Sequence, residues 1–173
     1  MRIKWYIWVL IALGVILLPF GGFLLFPLIK MKLSKKPVQT GSDAVRGQRN
    51  KNPFNLRVSL NAWRGKITEN KQDEEFEEFE NYLYGLRAGL INIRTHIGRG
   101  KNTLTLLMNT LSPKHENPTN NFIQFICDSS GLGANEVFVF DKETAFKIAV
   151  PIVKFESDYK LTQSEFKEVW ELL

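Results

Sequence analysis

The sequence predicts a mainly α domain, of the α+β class, behind one N-terminal transmembrane helix. A stretch of 25 uncharged, mostly apolar residues runs from Trp5 to Ile29. Beyond it, apolar residues recur at helical spacing in several segments between Leu83 and Leu173. Between Asn52 and Phe79 this spacing fails, which indicates short strands or loops. These patterns place one anchor helix before one mainly helical domain.

Charge is distributed unevenly along the 173 residues. The chain carries 23 Lys and Arg against 18 Asp and Glu, a net charge of +5. Six of the basic residues and none of the acidic ones lie in the first 36 positions, so the other 137 residues are nearly neutral. That part lacks the basic clusters that bind phosphate backbones, so no nucleic-acid partner is predicted. With one cysteine and two histidines, no disulfide, metal site or cofactor is predicted.

The apolar stretch near the N-terminus is long enough to cross a membrane. About 20 apolar residues span the hydrocarbon core as a helix. A cleaved signal peptide is the alternative, but its apolar region has only about 7–15 residues. Four lysines follow the stretch and two basic residues precede it, so the positive-inside rule favours a C-terminal domain on the cytoplasmic side. The predicted organisation is a tail and transmembrane helix in 1–29, a basic linker in 30–45 and a globular domain in 46–173.

Five helices are predicted in the globular domain from their caps and apolar spacing. Their expected starts are Leu83, Asn102, Asn117, Asp141 and Thr162. The fourth runs toward Glu156. The last is marked by a capping box, in which Glu165 reaches back to the amide of Thr162.

Glu156 is the carboxylate best placed for acid chemistry. It ends a hydrophobic helical segment, where a carboxyl group can be held half-buried at the edge of a cleft. A carboxyl group in an apolar environment can act as a proton donor at neutral pH, because burial raises its pKa and keeps it protonated. The alternative is an ordinary glutamate at a helix end. The charged run 73–80, by contrast, is expected to be a solvated face with two aromatic anchors.

Five motifs occur in order between Arg46 and Ser157. They are RGQRNKNPFNLR with a following WRG, FEEF with GLRA, GKNTL, SP with ENPT, and KFES. Together they resemble phage virion-associated proteins with a lysozyme-like domain, whose sequences open RGIRNNNPGNIR…WxG. The resemblance implies a lysozyme-like fold, with a permuted order as one alternative. The chain departs from the family pattern at Phe54 and Asp158, where the family has Gly, and at Pro151 inside the presumed catalytic helix.

The resemblance also implies a chemistry and its residues. Glu156 is expected to be the acid of a lytic transglycosylase or muramidase that cleaves the β-1,4 bond between N-acetylmuramic acid and N-acetylglucosamine. A hydrolytic mechanism needs a second carboxylate, for which Glu116 and Glu69 are the candidates. The expected substrate-binding residues are Asn52, Asn55, Arg57 and Trp63. Turn formation by the asparagines and core packing by the tryptophan are the alternatives.

The biological role follows from the same resemblance. The chain is expected to open the peptidoglycan when the phage enters its host, as a single-pass protein of an internal virion membrane whose C-terminal domain faces the capsid. Its expected partners are peptidoglycan, lipid membrane and capsid proteins. A non-catalytic virion membrane protein that keeps the lysozyme-like fold is the alternative, and a cellular membrane protein without a phage link is a third.

Overall fold

The computed structural model describes residues 15–17, 23–25, 42–112 and 119–173, and the side chains from residue 46 onward within them. The chain divides into two units, Met1–Val38 and Gln39–Leu173. In the first unit the described residues form two short strands, β1 (Val15–Leu17) and β2 (Phe23–Leu25). They pair antiparallel, with Ile16 opposite Leu24.

The predicted transmembrane helix over Trp5–Ile29 is wrong. Two parts of it are paired strands rather than helix, and among the described residues no helix is both long and apolar enough to cross a membrane. The expected localisation as a single-pass protein of an internal virion membrane is overturned with it. Apolar runs suit strands as well as helices, and this stretch contains Pro19 and the Gly21–Gly22 pair, residue types that interrupt helices. The rest of the stretch lies outside the described residues.

The described part of the second unit is built from helices. They are α1 (Ser42–Arg49), α2 (Tyr82–Gly98), α3 (Leu104–Leu111), α4 (Thr119–Ser130), α5 (Lys142–Ser157) and α6 (Gln163–Trp170). The predicted mainly α class is therefore confirmed at this level. Helix α1, which starts at residue 42, is absent from the sequence prediction because it is short and strongly polar.

The helix starts follow the capping chemistry of their sequences. Asp141 accepts a hydrogen bond from the amide of Thr144, and Thr162 forms the predicted capping box with Glu165. Helix α3 is capped by Thr103, one residue later than the predicted Asn102. The predicted cap at Asn117 lies outside the described residues.

Helix α5 is the centre of the core. It packs against α1, α4 and α6, and seven of its sixteen residues are buried. The ring of Phe155 stacks on Phe122 of α4 with 4.0 Å between centroids. Contacts with elements from both ends of the unit hold α5 in place, and they therefore also hold its last turn, where Glu156 lies.

The segment 52–80 is irregular, as the failing periodicity predicts, but its backbone is paired. Antiparallel bridges join Arg57 to Phe76 and Lys66 to Phe79. Further backbone hydrogen bonds extend both bridges, including one from the amide of Glu77 to the carbonyl of Leu56. The segment is thus a small meander of short extended pieces.

Two glycines of α2 let the start of this meander approach the helix closely. A Cβ at Gly85 would lie 2.0 Å from the carbonyl oxygen of Lys51, and one at Gly89 would lie 1.9 Å from the ring of Phe54. Phe54 is buried by this contact and belongs to the core. The glycines therefore set the position of residues 51–55.

We expect Gly85→Ala to destabilise the domain by about 1–3 kcal/mol, because the added methyl group would collide with a backbone oxygen that cannot rotate away. The matched control is Gly98→Ala in the same helix, where a Cβ meets nothing within 4 Å. Alanine there should be neutral or gain up to about 1 kcal/mol from helix propensity. Urea unfolding of both variants measures the difference, and equal effects would contradict the close approach.

Candidate active site

Glu156 lies in the last turn of α5 and is half-buried. The helix ends at Asp158, whose φ of 54° is left-handed and whose amide donates to the carbonyl of Lys154 (3.1 Å). The amide of Tyr159 donates to the carbonyl of Val153 (3.3 Å). This is the usual helix-ending pattern in which glycine is favoured.

Asn55 holds Glu156 directly. Its Nδ2 donates to the main-chain oxygen of Glu156 (2.7 Å) and to the carboxylate Oε2 (3.1 Å). Asn55 has a left-handed φ of 47°, a conformation that asparagine tolerates better than most residues. One side chain from the N-terminal third of the unit therefore fixes both the backbone and the carboxylate of the predicted acid.

A second amide holds the next residue. Gln48 of α1 donates from Nε2 to the carbonyl oxygen of Ser157 (2.9 Å). The hydroxyl of Tyr82 of α2 donates to the carbonyl of Gln48 (2.9 Å). Sequence reasoning missed Gln48 and Tyr82, although Gln48 lies inside the RGQRN motif, because a contact across 109 residues has no local signal.

Aromatic rings surround the end of α5. Tyr82 stacks on Tyr159 with 4.9 Å between centroids, and the hydroxyl of Tyr159 donates to Glu165. Burial, reinforced by the Glu165 carboxylate, raises the pKa of Tyr159 far above its usual value. For Glu165, burial would raise the pKa, but hydrogen bonds from Thr162 and Tyr159 outweigh it and lower the pKa. Tyr159 therefore stays a neutral donor.

Asn52 lies beneath the site rather than in a cleft. It is fully buried, and its Nδ2 donates to the carbonyls of Leu56 and Glu77, both at 2.9 Å. Its Oδ1 accepts from the amide of Leu56 (3.0 Å). Its carbonyl accepts from the amide of Asn55 (2.9 Å), so it shapes the turn that presents Asn55.

Arg57 and Trp63 lie on the meander. Arg57 is exposed, with its guanidinium carbon 4.9 Å from the ring centroid of Phe76 and its NH1 3.7 Å from a Glu75 oxygen. Trp63 is half-buried, and within the described part of the chain its buried Nε1 has no hydrogen-bond partner. Hydrogen bonds thus connect Asn52 to Asn55 and Asn55 to Glu156. Arg57 and Trp63 follow Asn55 on the meander.

Glu69 and Glu116 are the two candidates for a second carboxylate. Glu69 is exposed beside Asn70, which has a left-handed φ of 54°. Glu116 lies outside the described residues. Among the residues that the structure describes, no group of three or more His, Cys, Asp or Glu side chains could hold a metal ion.

The prediction of a solvated acidic face is wrong for two members of the run 73–80, Glu77 and Glu78. Glu77 is fully buried, and its Oε1 accepts from the amide (2.9 Å) and hydroxyl (3.0 Å) of Ser59 and from Lys66 Nζ (3.0 Å). Its Oε2 is buried and has no partner among the described residues. Glu78 is also buried and accepts at Oε1 from the amide of Asp73. The charge of the segment does not predict this burial, which follows from the packing of the flanking Phe76 and Phe79 in the core.

Asp73 ties α1 to the meander. Its Oδ2 accepts from Asn50 (2.8 Å) and lies 3.7 Å from nitrogens of Arg46 and Arg49, while its Oδ1 accepts from the amides of residues 75 and 76. Burial would raise the pKa of Asp73, but these hydrogen bonds and Arg46 outweigh it, so the pKa lies below its ordinary value. The carboxylate therefore helps to hold the segment that carries Gln48 and Asn55.

An open groove of about 560 Å³ lies elsewhere, between the N-terminal ends of α5 and α6. Phe146, Phe166 and the two lysines Lys142 and Lys167 contribute to its lining. Glu143, also in the lining, is 13 residues before Glu156 on α5, which corresponds to about 20 Å along the helix axis. The groove is therefore not the site that contains Glu156.

Comparison with known proteins gives one phage relative. The chain is 32% identical over 99 residues to Protein P5 of Pseudoalteromonas phage PM2. The matched region covers 55% of this chain and 61% of that protein. No family model matches the chain. The similarity supports the phage part of the resemblance expected from the sequence. The chain spans less than two thirds of the length of this relative.

We expect Asp73→Asn to lower the free energy of unfolding by about 2 kcal/mol at pH 7, because a buried charged acceptor is lost. Since the folded-state pKa lies below the ordinary value of 3.8, the stabilisation is present above that pH and is lost as the pH falls through the folded-state pKa. The gap between wild type and variant should therefore narrow in urea titrations below pH 4. The exposed neighbour Glu74, changed to Gln, is the control, and a gap that does not change with pH would contradict the assignment.

Proposed function

We propose that the chain is a phage virion protein whose second unit cleaves the β-1,4 bond between N-acetylmuramic acid and N-acetylglucosamine in peptidoglycan. The observation that carries the proposal is the contact of Asn55 with both the backbone and the carboxylate of Glu156. It joins the two motifs, RGQRNKNPFN and KFES, on which the resemblance to phage lysozyme-like proteins depends. The similarity to a phage protein supports the phage part of the proposal.

The position of Glu156 supports its proposed role as the acid. It is half-buried at the end of α5, next to the stacked ring of Phe155. Asn55 and Gln48 hold the carbonyls of residues 156 and 157, so the side chain projects from a fixed backbone. A positioned acid of this kind contributes about 10²–10⁴-fold to a reaction rate.

The proposed reaction begins with proton transfer from Glu156 to the glycosidic oxygen, as the bond to the muramyl C1 breaks and positive charge develops on the sugar. In a lytic transglycosylase the resulting carboxylate then removes the proton of the muramyl 6-hydroxyl, whose oxygen closes an anhydro ring on C1. The glucosaminyl product leaves with the first proton. One carboxylate serves both steps, so the atoms and protons balance without water.

We favour the transglycosylase over the muramidase. Retaining or inverting hydrolysis needs a second carboxylate across the bond. Among the described residues, the candidate Glu69 is exposed on a loop, whereas the positioning contacts converge on Glu156. Arg57 and Trp63, which lie on the meander, are the proposed sugar-binding residues. Asn55 is proposed as a positioning residue and Asn52 as a structural one.

A non-catalytic virion structural protein is the second candidate. The groove between α5 and α6 favours this candidate, because it lies about 20 Å along α5 from Glu156 and is therefore separate from the proposed catalytic carboxylate. A chain of this kind would bind capsid protein or peptidoglycan without releasing muropeptides.

The decisive experiment incubates the full chain with purified peptidoglycan and identifies released muropeptides by mass spectrometry. Anhydro-muropeptides are expected from wild type, and Glu156→Gln should lower their release by about 10²–10⁴-fold. Asn55→Gly keeps the left-handed backbone and removes the amide, so we expect a loss of about 100-fold in kcat with little change in KM.

Glu69→Gln is the matched control and should retain activity. Equal muropeptide release by wild type and Glu156→Gln would exclude Glu156 as the acid. Binding of peptidoglycan without any release by the folded wild-type chain would favour the structural candidate.

A further inference from the structure

Residues 136–140, just before α5, form neither a helix nor a paired strand. The side chains of Val137 and Val139 are 69% and 67% exposed, whereas Phe138 between them is buried. This alternation is that of a strand with one face on the core and one in water. Two neighbouring valines on the water face form an apolar surface where a strand normally carries polar residues.

The backbone of this segment is paired on one side only. The amide of Phe138 donates to the carbonyl of Asn102 (3.0 Å), and just before the segment the carbonyl of Ala134 accepts from the amide of Thr105 (2.9 Å). Along an extended chain successive amides point to opposite sides, so the amides and carbonyls of Val137 and Val139 face away from residue 102. Within the described part of the chain these groups make no hydrogen bond. These groups are therefore open to pairing with another chain, as at the edge of a sheet.

We propose that two copies of the chain pair antiparallel through this edge, about a two-fold axis at Phe138. The sequence Val-Phe-Val is the same read in either direction, so this register places Val137 of one copy opposite Val139 of the other, and the reverse. The unpaired amides and carbonyls of both valines would then form four hydrogen bonds. Pairs of β-branched residues directly opposite each other stabilise such a ladder.

The acidic residues at the ends of the segment agree with this register. Glu136 of one copy would lie opposite Phe140 of the other, and Asp141 opposite Asn135, so no two carboxylates oppose each other. A shift by two residues would place Phe138 opposite Phe140 and Val137 opposite Asp141, which breaks the valine pairs. The surface is thus complementary to itself in one register, which favours a second copy over an unrelated strand.

The contact is small. Stable interfaces bury about 800 Å² per partner, and a five-residue strand supplies less than this. The pairing is therefore weak between free chains. It becomes effective where many copies are held close together, as in a virus particle.

The test uses two variants of the full chain, Val137→Cys and Val139→Cys, each with Cys127→Ser. Under mild oxidation the mixture should give about tenfold more disulfide dimer than either variant alone, because directly opposite Cβ atoms lie within about 5.5 Å and diagonal ones do not. Leu60→Cys, at a fully exposed position elsewhere, replaces one partner as the control. Equal yields in all mixtures would overturn the proposed register.

A second measurement does not depend on cysteine chemistry. Val137→Lys with Val139→Lys places like charges opposite each other and should abolish dimers seen by sedimentation at high protein concentration. Leu60→Lys should leave them unchanged. A wild-type chain that stays monomeric at millimolar concentration, or dimers that survive the double substitution, would refute the pairing.

Discussion

The last turn of α5 depends on amide side chains from another part of the chain. Helix carbonyls at a C-terminus have no partner within the helix, and a buried carbonyl without a partner is costly. Here Asn55 satisfies the carbonyl of Glu156, and Gln48 satisfies that of Ser157. Asn55 also donates to the carboxylate of Glu156 (3.1 Å). The stability of the helix end and the position of this carboxylate therefore depend on the same side chain.

Other features of the second unit support these two amides. Asp73 and Asn50 tie α1 to the meander, the glycines of α2 allow residues 51–54 to lie against the helix, and buried Asn52 shapes the turn before Asn55. None of these side chains needs to touch a substrate. Their common effect is to bring the N-terminal motif to the end of α5, which accounts for the concentration of Asn and Arg in that motif.

The helices after residue 80 could be predicted from the sequence because their signals are local. The capping box at Thr162, the cap at Asp141 and the apolar spacing from Leu83 to Ile97 each specify structure within a few residues. The contact between Asn55 and Glu156 spans 101 residues. Each residue could therefore be predicted as a site residue, but the hydrogen bond between them could not. Asn55 was expected to bind substrate, and the structure places its amide on Glu156. The burial of Glu77 and Glu78 was not predicted, because it depends on the packing of the flanking phenylalanines in the core. The apolar N-terminal stretch was assigned to a helix, because hydropathy does not distinguish a long helix from short strands.

The buried pair of Lys66 and Glu77 has a consequence for how the protein responds to its solution. The Lys66 side chain is only 13% exposed and that of Glu77 not at all, so dissolved ions screen their attraction far less than that of surface pairs such as Lys142 with Glu171. The loop between Ser59 and Lys66, which carries Trp63, is closed at its base by this pair. We therefore expect the closure of this loop to change little between low and high ionic strength.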